Sequence, residues 1–192
     1  MARVVGRFAP TPSGYLHLGN LFCSLIAWLA AKSQGGDIIL RNEDLDRERT
    51  RQEYVLQAQR DLDALGLFWD QGGEVGGPHA PYDQSQRFAF YRAQLAQLEA
   101  RGLCYPCFCS RAQLHAASAP HASDGELLYS GACRDLTPAQ VAEKSRTRSP
   151  ALRLRVPEET IAFTDLHYGP QEQYLPTGCG DFILRRSDGV YA

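Results

Sequence analysis

Apolar positions change their spacing within the first thirty residues of the chain. Arg3 to Phe8 is a short β-favouring segment, and two prolines and a glycine interrupt it between residues 10 and 14, because proline lacks a backbone N–H and glycine reaches backbone angles that other residues avoid. From Leu18 the apolar residues recur at positions 18, 21, 22, 25, 26 and 29, which is helical spacing. Gly35-Gly36 ends that run. The pattern therefore predicts a strand, a tight turn and a helix.

The predicted helix begins beside a histidine and a glycine. His17 and Gly19 would lie at its N-terminus, where unpaired backbone N–H groups and the helix dipole attract anions. A histidine at this place can donate to a phosphate, and a glycine lets a flat ring approach the backbone. The alternative is an ordinary strand–helix turn that carries a histidine by chance.

A second predicted strand, Ile38 to Leu40, is followed at once by charged and polar residues. It delivers four of them, Arg41, Asn42, Glu43 and Asp44, to its carboxyl end, which is the edge where open α/β sheets bind ligands. Glu43 can face a cationic amino group there. The alternative is a surface salt-bridge network of Glu43 with Asp44, Asp46, Arg47 and Arg49.

Two capping-box patterns predict further helix starts, at Thr50–Glu53 and at Thr137–Gln140. Beyond them, apolar residues at 152, 154 and 156 alternate with Arg153 and Arg155, which is typical of a half-buried strand.

The formal net charge of −2 gives no global sign of nucleic-acid binding. The arginines at 146, 148, 153 and 155 form one candidate basic patch for RNA and Arg185-Arg186 another, but on charge alone a solvated face is the better explanation.

The composition is that of a globular protein in a reducing compartment. The 192 residues are 44% hydrophobic and 22% charged, no apolar run reaches membrane-spanning length, and the N-terminus lacks the apolar core of a signal peptide. We therefore expect a cytoplasmic protein with no membrane partner. In that compartment the six cysteines would stay reduced, so a cysteine cluster indicates a metal rather than a disulfide.

Three cysteines bracket a loop that has little apolar content. Cys107 and Cys109 are one residue apart, and Cys133 follows a loop of alanine, serine, proline and glycine. A zinc ion would supply the stability that such a loop lacks, and zinc binds four ligands. The candidates for the fourth ligand are Cys104, Tyr129, His115 and His121. Chemistry alone favours Cys104 or a histidine, because phenolate ligands are uncommon; the alternative is three free thiols in a surface loop.

Two linked motifs carry a family resemblance. APTPSGYLHLGN resembles the "HIGH" signature of class I aminoacyl-tRNA synthetases, with residues 17–20 as its core, and IILRNEDLDRER resembles the glutamate-specific branch of that class. The C-x-C and Y-x-x-x-C spacing is similar to that of glutamyl-queuosine tRNA(Asp) synthetases. That second resemblance implies a zinc site formed by Cys107, Cys109, Tyr129 and Cys133.

The resemblance implies an α/β, Rossmann-like nucleotide-binding fold with a zinc-binding insertion. We expect residues 1–103 to form the first half of the catalytic domain. Residues 104–192 would form the zinc-binding insertion and the acceptor-binding-like strands that follow it. The second half, with the lysine-rich "KMSKS" loop that contacts ATP phosphates, would lie beyond residue 192.

The same resemblance implies an activity and its residues. Glutamate would be activated with ATP and Mg²⁺ to glutamyl-adenylate and transferred to the queuosine base of tRNA(Asp) by a monomeric enzyme. The catalytic residues implied are Thr11, His17, Gly19 and Asn20, and the glutamate-binding residues are Arg7, Phe8, Ala9, Pro10, Thr11 and Glu43. Asp44 and Arg47 would give structural support. Two alternatives remain open: the front part of a glutamyl-tRNA synthetase, and a zinc-stabilised RNA-binding fragment without activity.

Overall fold

The computed structural model describes residues 3–110, 112–114 and 128–192. The chain divides into two compact units, Met1–Tyr91 and Arg92–Ala192. The helices are α1 (Leu18–Lys32), α2 (Gln52–Ala64), α3 (Phe88–Ala100), α4 (Pro138–Ser145) and α5 (Leu175–Gly178), and the strands are β1 (Val5–Phe8), β2 (Asp37–Leu40), β3 (Cys104–Cys107), β4 (Ala151–Leu154), β5 (Thr160–Asp165), β6 (Gly169–Tyr174) and β7 (Ile183–Arg185). Within the described residues, every helix is too short or too polar to cross a membrane.

The first unit is built on a parallel strand pair joined by a helix. β1 and β2 pair in parallel from Val5↔Asp37 to Phe8↔Leu40, and α1 makes the crossover between them. The segment after α2 runs along the other side of β2, where the Leu40 N–H donates to the Gln71 carbonyl at 2.8 Å. Gly72 has φ +93°, and a Cβ there would lie 1.9 Å from the Leu40 carbonyl oxygen. Only glycine therefore allows this approach to the strand.

The core of the first unit lies between the strands β1 and β2 and the helices α1 and α2. Its buried members are Phe8, Ala31, Ile38, Leu40, Leu62 and Leu67. The predicted apolar stripe of α1 does not enter this core as a whole: Leu21 packs against it, but Leu18 is 83% exposed and Phe22 60% exposed. The helix instead presents Trp28 and Ala31 to the sheet. Periodicity thus predicted the helix correctly without showing which face is buried.

One of the two predicted capping boxes forms. Thr137 caps α4, where its side chain accepts from the Gln140 N–H and the Gln140 side chain bonds back to the cap. The box at Thr50 is wrong, since α2 begins at Gln52 and its N-cap, Arg51, makes no side-chain cap hydrogen bond. The Arg51 N–H donates to the Pro12 carbonyl at 3.2 Å, so a tertiary contact sets where this helix begins.

The second unit contains an antiparallel sheet and a separate hairpin. The sheet has the strand order β3-β4-β7, and β5 pairs with β6. The pairing of β4 with β7 shifts register between Leu152 and Arg153, and Arg153 is only 6% exposed. The predicted solvated face is therefore wrong at this position, because the arginine side chain turns into the protein.

Candidate functional site

The predicted turn at the start of α1 is a capping structure built by the histidine itself. His17 is the N-cap residue and has extended backbone angles. Its Nδ1 accepts from the Gly19 N–H at 3.1 Å, and its own N–H donates to Asn20 Oδ1, also at 3.1 Å. These two bonds satisfy polar groups that a helix start leaves unpaired, so the motif residues hold one another in place.

This cap determines which nitrogen of the imidazole can donate. Because Nδ1 accepts the Gly19 N–H, a neutral His17 carries its proton on Nε2. His17 and Gly19 are both exposed, so the Nε2–H remains open to a ligand. A Cβ on Gly19 would lie 3.1 Å from Cε1 and 3.2 Å from Nδ1 of His17. In this structure the ring that lies next to Gly19 is therefore the imidazole of His17.

Backbone hydrogen bonds continue the strand pairing past the ends of β1 and β2. The Arg41 N–H donates to the Phe8 carbonyl, and the Glu43 N–H donates to the Pro10 carbonyl, each at 2.9 Å. The predicted glutamate-binding residues on the two segments are therefore adjacent through their backbones. Thr11 lies in the turn that follows, where its carbonyl accepts from the Ser13 N–H.

A cavity of about 220 Å³ opens beside these strand ends. Several predicted site residues line it, namely Arg7, Phe8, Ala9, Pro10 and Asn20, together with Leu16, Cys23, Ser24 and Leu62. Arg7 is exposed and forms no ion pair within the described part of the chain. Thr11 and Glu43 are not among the lining residues. The cavity thus offers one uncommitted cation in an otherwise mainly apolar space.

Glu43 has a partner that the sequence did not indicate. Its carboxylate forms an ion pair with the Arg41 guanidinium, and both side chains are 30% exposed. Asp44 instead accepts from the N–H and the hydroxyl of Ser85, which is a structural contact. To bind an amino group, Glu43 would have to exchange or share its contact with Arg41.

The second unit brings three thiols and one phenol together. The sulfurs of Cys107, Cys109 and Cys133 all lie within 4.8 Å of one another, and those of Cys109 and Cys133 are 3.6 Å apart. Tyr129 Oη lies 3.4 Å from Cys107 Sγ and 3.6 Å from Cys109 Sγ. The Cys133 N–H donates to the same oxygen at 2.8 Å, which orients the hydroxyl toward the sulfurs.

These distances fit a tetrahedral metal ion. With Zn–S near 2.3 Å and Zn–O near 2.0 Å, a tetrahedron places two sulfurs about 3.8 Å apart and a sulfur and an oxygen about 3.5 Å apart. In the cluster of Cys107, Cys109, Tyr129 and Cys133, the one sulfur–sulfur and the two sulfur–oxygen distances given above come within a few tenths of an ångström of these values. The three thiols could therefore hold a metal ion, and the phenol is placed as a fourth donor.

Cys104 is the one other candidate ligand within the described residues, and it does not join this cluster. Cys104 begins β3 and pairs with Leu154. It is three strand positions from Cys107 and so projects from the opposite face, and the group of metal-binding side chains does not include it. His115 and His121 lie outside the described residues.

Local electrostatics differ among the donors. Burial raises the pKa of Cys107, but hydrogen bonds from Tyr129, from the Cys109 N–H and from Arg153 outweigh it, so its pKa lies below the ordinary value. Burial raises the pKa of Cys109 to about 11 and that of Tyr129 above its ordinary value. Of these two cysteines, Cys107 is therefore the better prepared to be a thiolate before any metal binds.

Sequence reasoning missed the polar residues that surround the cluster. The Arg153 guanidinium lies over the Tyr129 ring, with its carbon 3.8 Å from the centroid. Asp181 is buried and accepts from Tyr105 Oη at 2.5 Å and from Arg134 Nη1 at 2.5 and 2.7 Å. No local pattern marks these contacts, because they join residues far apart in the chain.

Comparison with known proteins agrees with the expected family and fold. The family described as "tRNA synthetases class I (E and Q), catalytic domain" matches residues 3–191. The chain therefore belongs to this family of class I synthetase catalytic domains. Its α/β fold is that of a solved glutamate tRNA ligase from Elizabethkingia meningosepticum, with a TM-score of 0.81 at 29% identity over all of this chain and 40% of that one.

Among curated proteins, the chain is similar to two kinds of glutamate-specific synthetase. The chain is 55% identical over 188 residues, or 96% of its length, to a glutamyl-Q tRNA(Asp) synthetase from Symbiobacterium thermophilum. It is 43% identical over 96% of its length to a glutamate–tRNA ligase from the same organism. The chain spans 58% of the length of the first relative and 39% of the second.

Proposed function

We propose that this chain belongs to an enzyme that activates L-glutamate with ATP and transfers it to the queuosine base of tRNA(Asp). The observation that carries the proposal is the His17 cap, which leaves an Nε2–H donor exposed at a helix N-terminus. Leu16 and Asn20, on either side of this histidine, line the cavity that contains Arg7. His17, as a hydrogen-bond donor for a phosphate, and Arg7, as a partner for a carboxylate, thus belong to one small region.

The first step is substitution at phosphorus, and these residues have roles suited to it. The α-carboxylate of glutamate attacks the α-phosphorus of ATP, glutamyl-adenylate forms and pyrophosphate leaves. His17 Nε2–H would stabilise charge on the phosphates, with Thr11 as a second polar contact and Mg²⁺ accompanying the nucleotide. Arg7 would hold a glutamate carboxylate with its planar fork, and Glu43 would hold the α-amino group.

Queuosine as the acceptor rests on two observations. Identity to the glutamyl-Q tRNA(Asp) synthetase exceeds identity to the glutamate–tRNA ligase of the same organism by 12 percentage points, 55% against 43%. The chain also reads Pro12-Ser13-Gly14 in the turn, where glutamyl-tRNA synthetases usually read PTG. The second candidate function, charging of tRNA(Glu), is favoured by the solved neighbour, which is a glutamate tRNA ligase.

Further chain would complete the catalytic domain in this proposal. In the described residues β1 pairs on one edge only, with β2, and α1 exposes Leu18, Phe22 and Ile26, each at 50% or more. An open strand edge beside an apolar helix face supports a continuing parallel sheet that packs there. Residues 1–103 would then be the first half of the domain, and residues 104–192 the insertion.

A zinc ion would be held by Cys107, Cys109, Tyr129 and Cys133, one per chain. It would bind without an open coordination position, so its chemistry is structural: it would clip the segment after β3 to the segment that carries Tyr129 and Cys133. The cysteines of the described residues are all free thiols, which supports a reducing, cytoplasmic location. We further propose that the enzyme acts as a monomer.

The acceptor decides between the two functions. The whole gene product is incubated with ATP, labelled glutamate, and either queuosine-containing tRNA(Asp), the same tRNA without queuosine, or tRNA(Glu). Label on tRNA(Asp) that depends on queuosine is the expected result. Label on tRNA(Glu) alone would replace the proposal with the second function. Label on neither tRNA, from a protein that retains zinc, would leave only an RNA-binding role.

A further inference from the structure

Arg153 is a buried cation whose charge lacks a carboxylate partner. The side chain is 6% exposed, and its Nη1 donates to the backbone carbonyl of Asp181 at 2.6 Å. The carboxylate of that aspartate is already paired with Arg134. Across residues 3–110, 112–114 and 128–192 no ion pair involves Arg153, and its Nε–H is buried without an acceptor.

A buried charge of this kind is unfavourable unless an opposite charge lies close by. Arg155, which follows directly after β4, offers a comparison. Arg155 is 35% exposed and pairs with Asp135, while its guanidinium lies 5.2 Å from the ring centroid of Tyr105. Arg155 therefore has both solvent and an anion, and Arg153 has neither in the described structure.

The position of Arg153 shows where its anion would be. Its guanidinium carbon stacks 3.8 Å above the centroid of the Tyr129 ring. The hydroxyl of the same ring lies among the sulfurs, 3.4 Å from Cys107 and 3.6 Å from Cys109. The cation thus covers the one donor that is not a thiol and holds the plane of its ring.

Charge balance completes the argument. Three thiolates around a divalent ion carry a net charge of −1, and a phenolate as fourth donor makes it −2. Two of the three sulfur donors, Cys107 and Cys133, are buried, so such a cluster needs a nearby positive charge as much as Arg153 needs a negative one. We propose that Arg153 is the counter-ion of the metal–thiolate cluster and positions Tyr129 as its oxygen donor. This inference rests on the proposed metal site.

The test measures metal affinity rather than activity. Zn²⁺ is titrated into the reduced whole chain against a chromophoric chelator, and Co²⁺ replaces it for absorption spectra of the thiolate–metal bands. The variants are Arg153→Met, which removes the charge, Arg153→Gln, which keeps an N–H for the Asp181 carbonyl, and Arg153→Lys, which restores the charge. Arg155→Met is the matched control, since it removes a stacked arginine that contacts Asp135 and the Tyr105 ring rather than Tyr129.

We expect the Met and Gln variants to bind zinc about 10- to 100-fold more weakly, the usual effect of losing a residue that supports metal ligands. Arg153→Lys should recover most of that affinity, and Arg155→Met should bind as the wild type does. If one neutral variant does not fold, the other is measured in the same assay.

Wild-type affinity in a folded Met or Gln variant, with only a lower urea midpoint, would make Arg153 a purely structural residue and overturn the inference. An equal loss in Arg155→Met would do so as well. A wild-type chain that binds no zinc would overturn the metal site itself, and this inference with it.

Discussion

Replacement of Tyr129 by phenylalanine isolates a single atom of the proposed metal site. The ring remains beneath Arg153, so the cation stacking is kept. The change removes only the oxygen that lies 3.4 and 3.6 Å from two sulfurs and accepts from the Cys133 N–H at 2.8 Å. Two separate effects should follow, one on metal affinity and one on the metal-free fold.

The two effects differ in size. Structural zinc sites bind with about 10–16 kcal/mol at pH 7, so an equal share for one of four ligands is about 2.5–4 kcal/mol. That loss raises Kd for zinc by about 60- to 700-fold. In the metal-free protein, Tyr129→Phe leaves the Cys133 N–H without its acceptor, which lowers the free energy of unfolding by about 1–3 kcal/mol.

Tyr105 provides the matched control. It is buried in the same apolar cluster, and its hydroxyl donates to Asp181 rather than to the thiol group. Tyr105→Phe should destabilise the metal-free protein by about 1.5–3 kcal/mol and leave zinc affinity unchanged. Chelator competition measures the affinity, and urea unfolding under reducing conditions measures the stability.

A Kd for zinc within about threefold of the wild type in Tyr129→Phe would contradict this expectation, because the loss of a quarter of the binding free energy raises Kd far more than that. If Cys104→Ser raises Kd at the same time, the fourth ligand is Cys104. That result would require β3 to rearrange, since Cys104 and Cys107 project from opposite faces of the strand.

Three further predictions concern the first unit. His17→Asn should keep the helix cap, whereas His17→Ala should lose about 0.5–2 kcal/mol of stability, yet both should slow ATP–pyrophosphate exchange by the whole enzyme about 10- to 1,000-fold; normal exchange in the Asn variant would remove the phosphate role. Glu43→Gln should raise the glutamate KM about tenfold or more, and an unchanged KM would take Glu43 out of the pocket. Asp70 is desolvated, but Lys32 and the Ile38 N–H lower its pKa below the ordinary 3.8. Its stabilisation is therefore present above that value and is lost as pH falls through the lower folded pKa; the urea midpoint of Asp70→Asn should depend less on pH below about 4, and equal acid sensitivity would contradict this.

Local rules account for the elements that the sequence predicts well. The strand–turn–helix at the N-terminus follows from proline, glycine and a change of period, and the Thr137 box forms because the atoms it joins are three residues apart. The same pattern at Thr50 fails where the Arg51 N–H finds the Pro12 carbonyl, 39 positions away along the chain. A local preference worth about 1 kcal/mol yields easily to a tertiary contact, and no single-sequence pattern records that contact.

The surroundings of the thiol cluster were also not predictable from local sequence patterns, but the charge of the cluster indicates what they must contain. Alternation in β4 predicts that Arg153 faces solvent, and the register shift against β7 together with the Asp181 carbonyl turns it inward. Spacing cannot reveal such a change, but charge can: a cluster of thiolates around one divalent ion is anionic, and its burial requires a cation. The arginines at 153 and 155 are two candidates for this cation. Of the two, Arg153 stacks on Tyr129, the phenol of the cluster, and forms no ion pair in the described residues, whereas Arg155 pairs with Asp135.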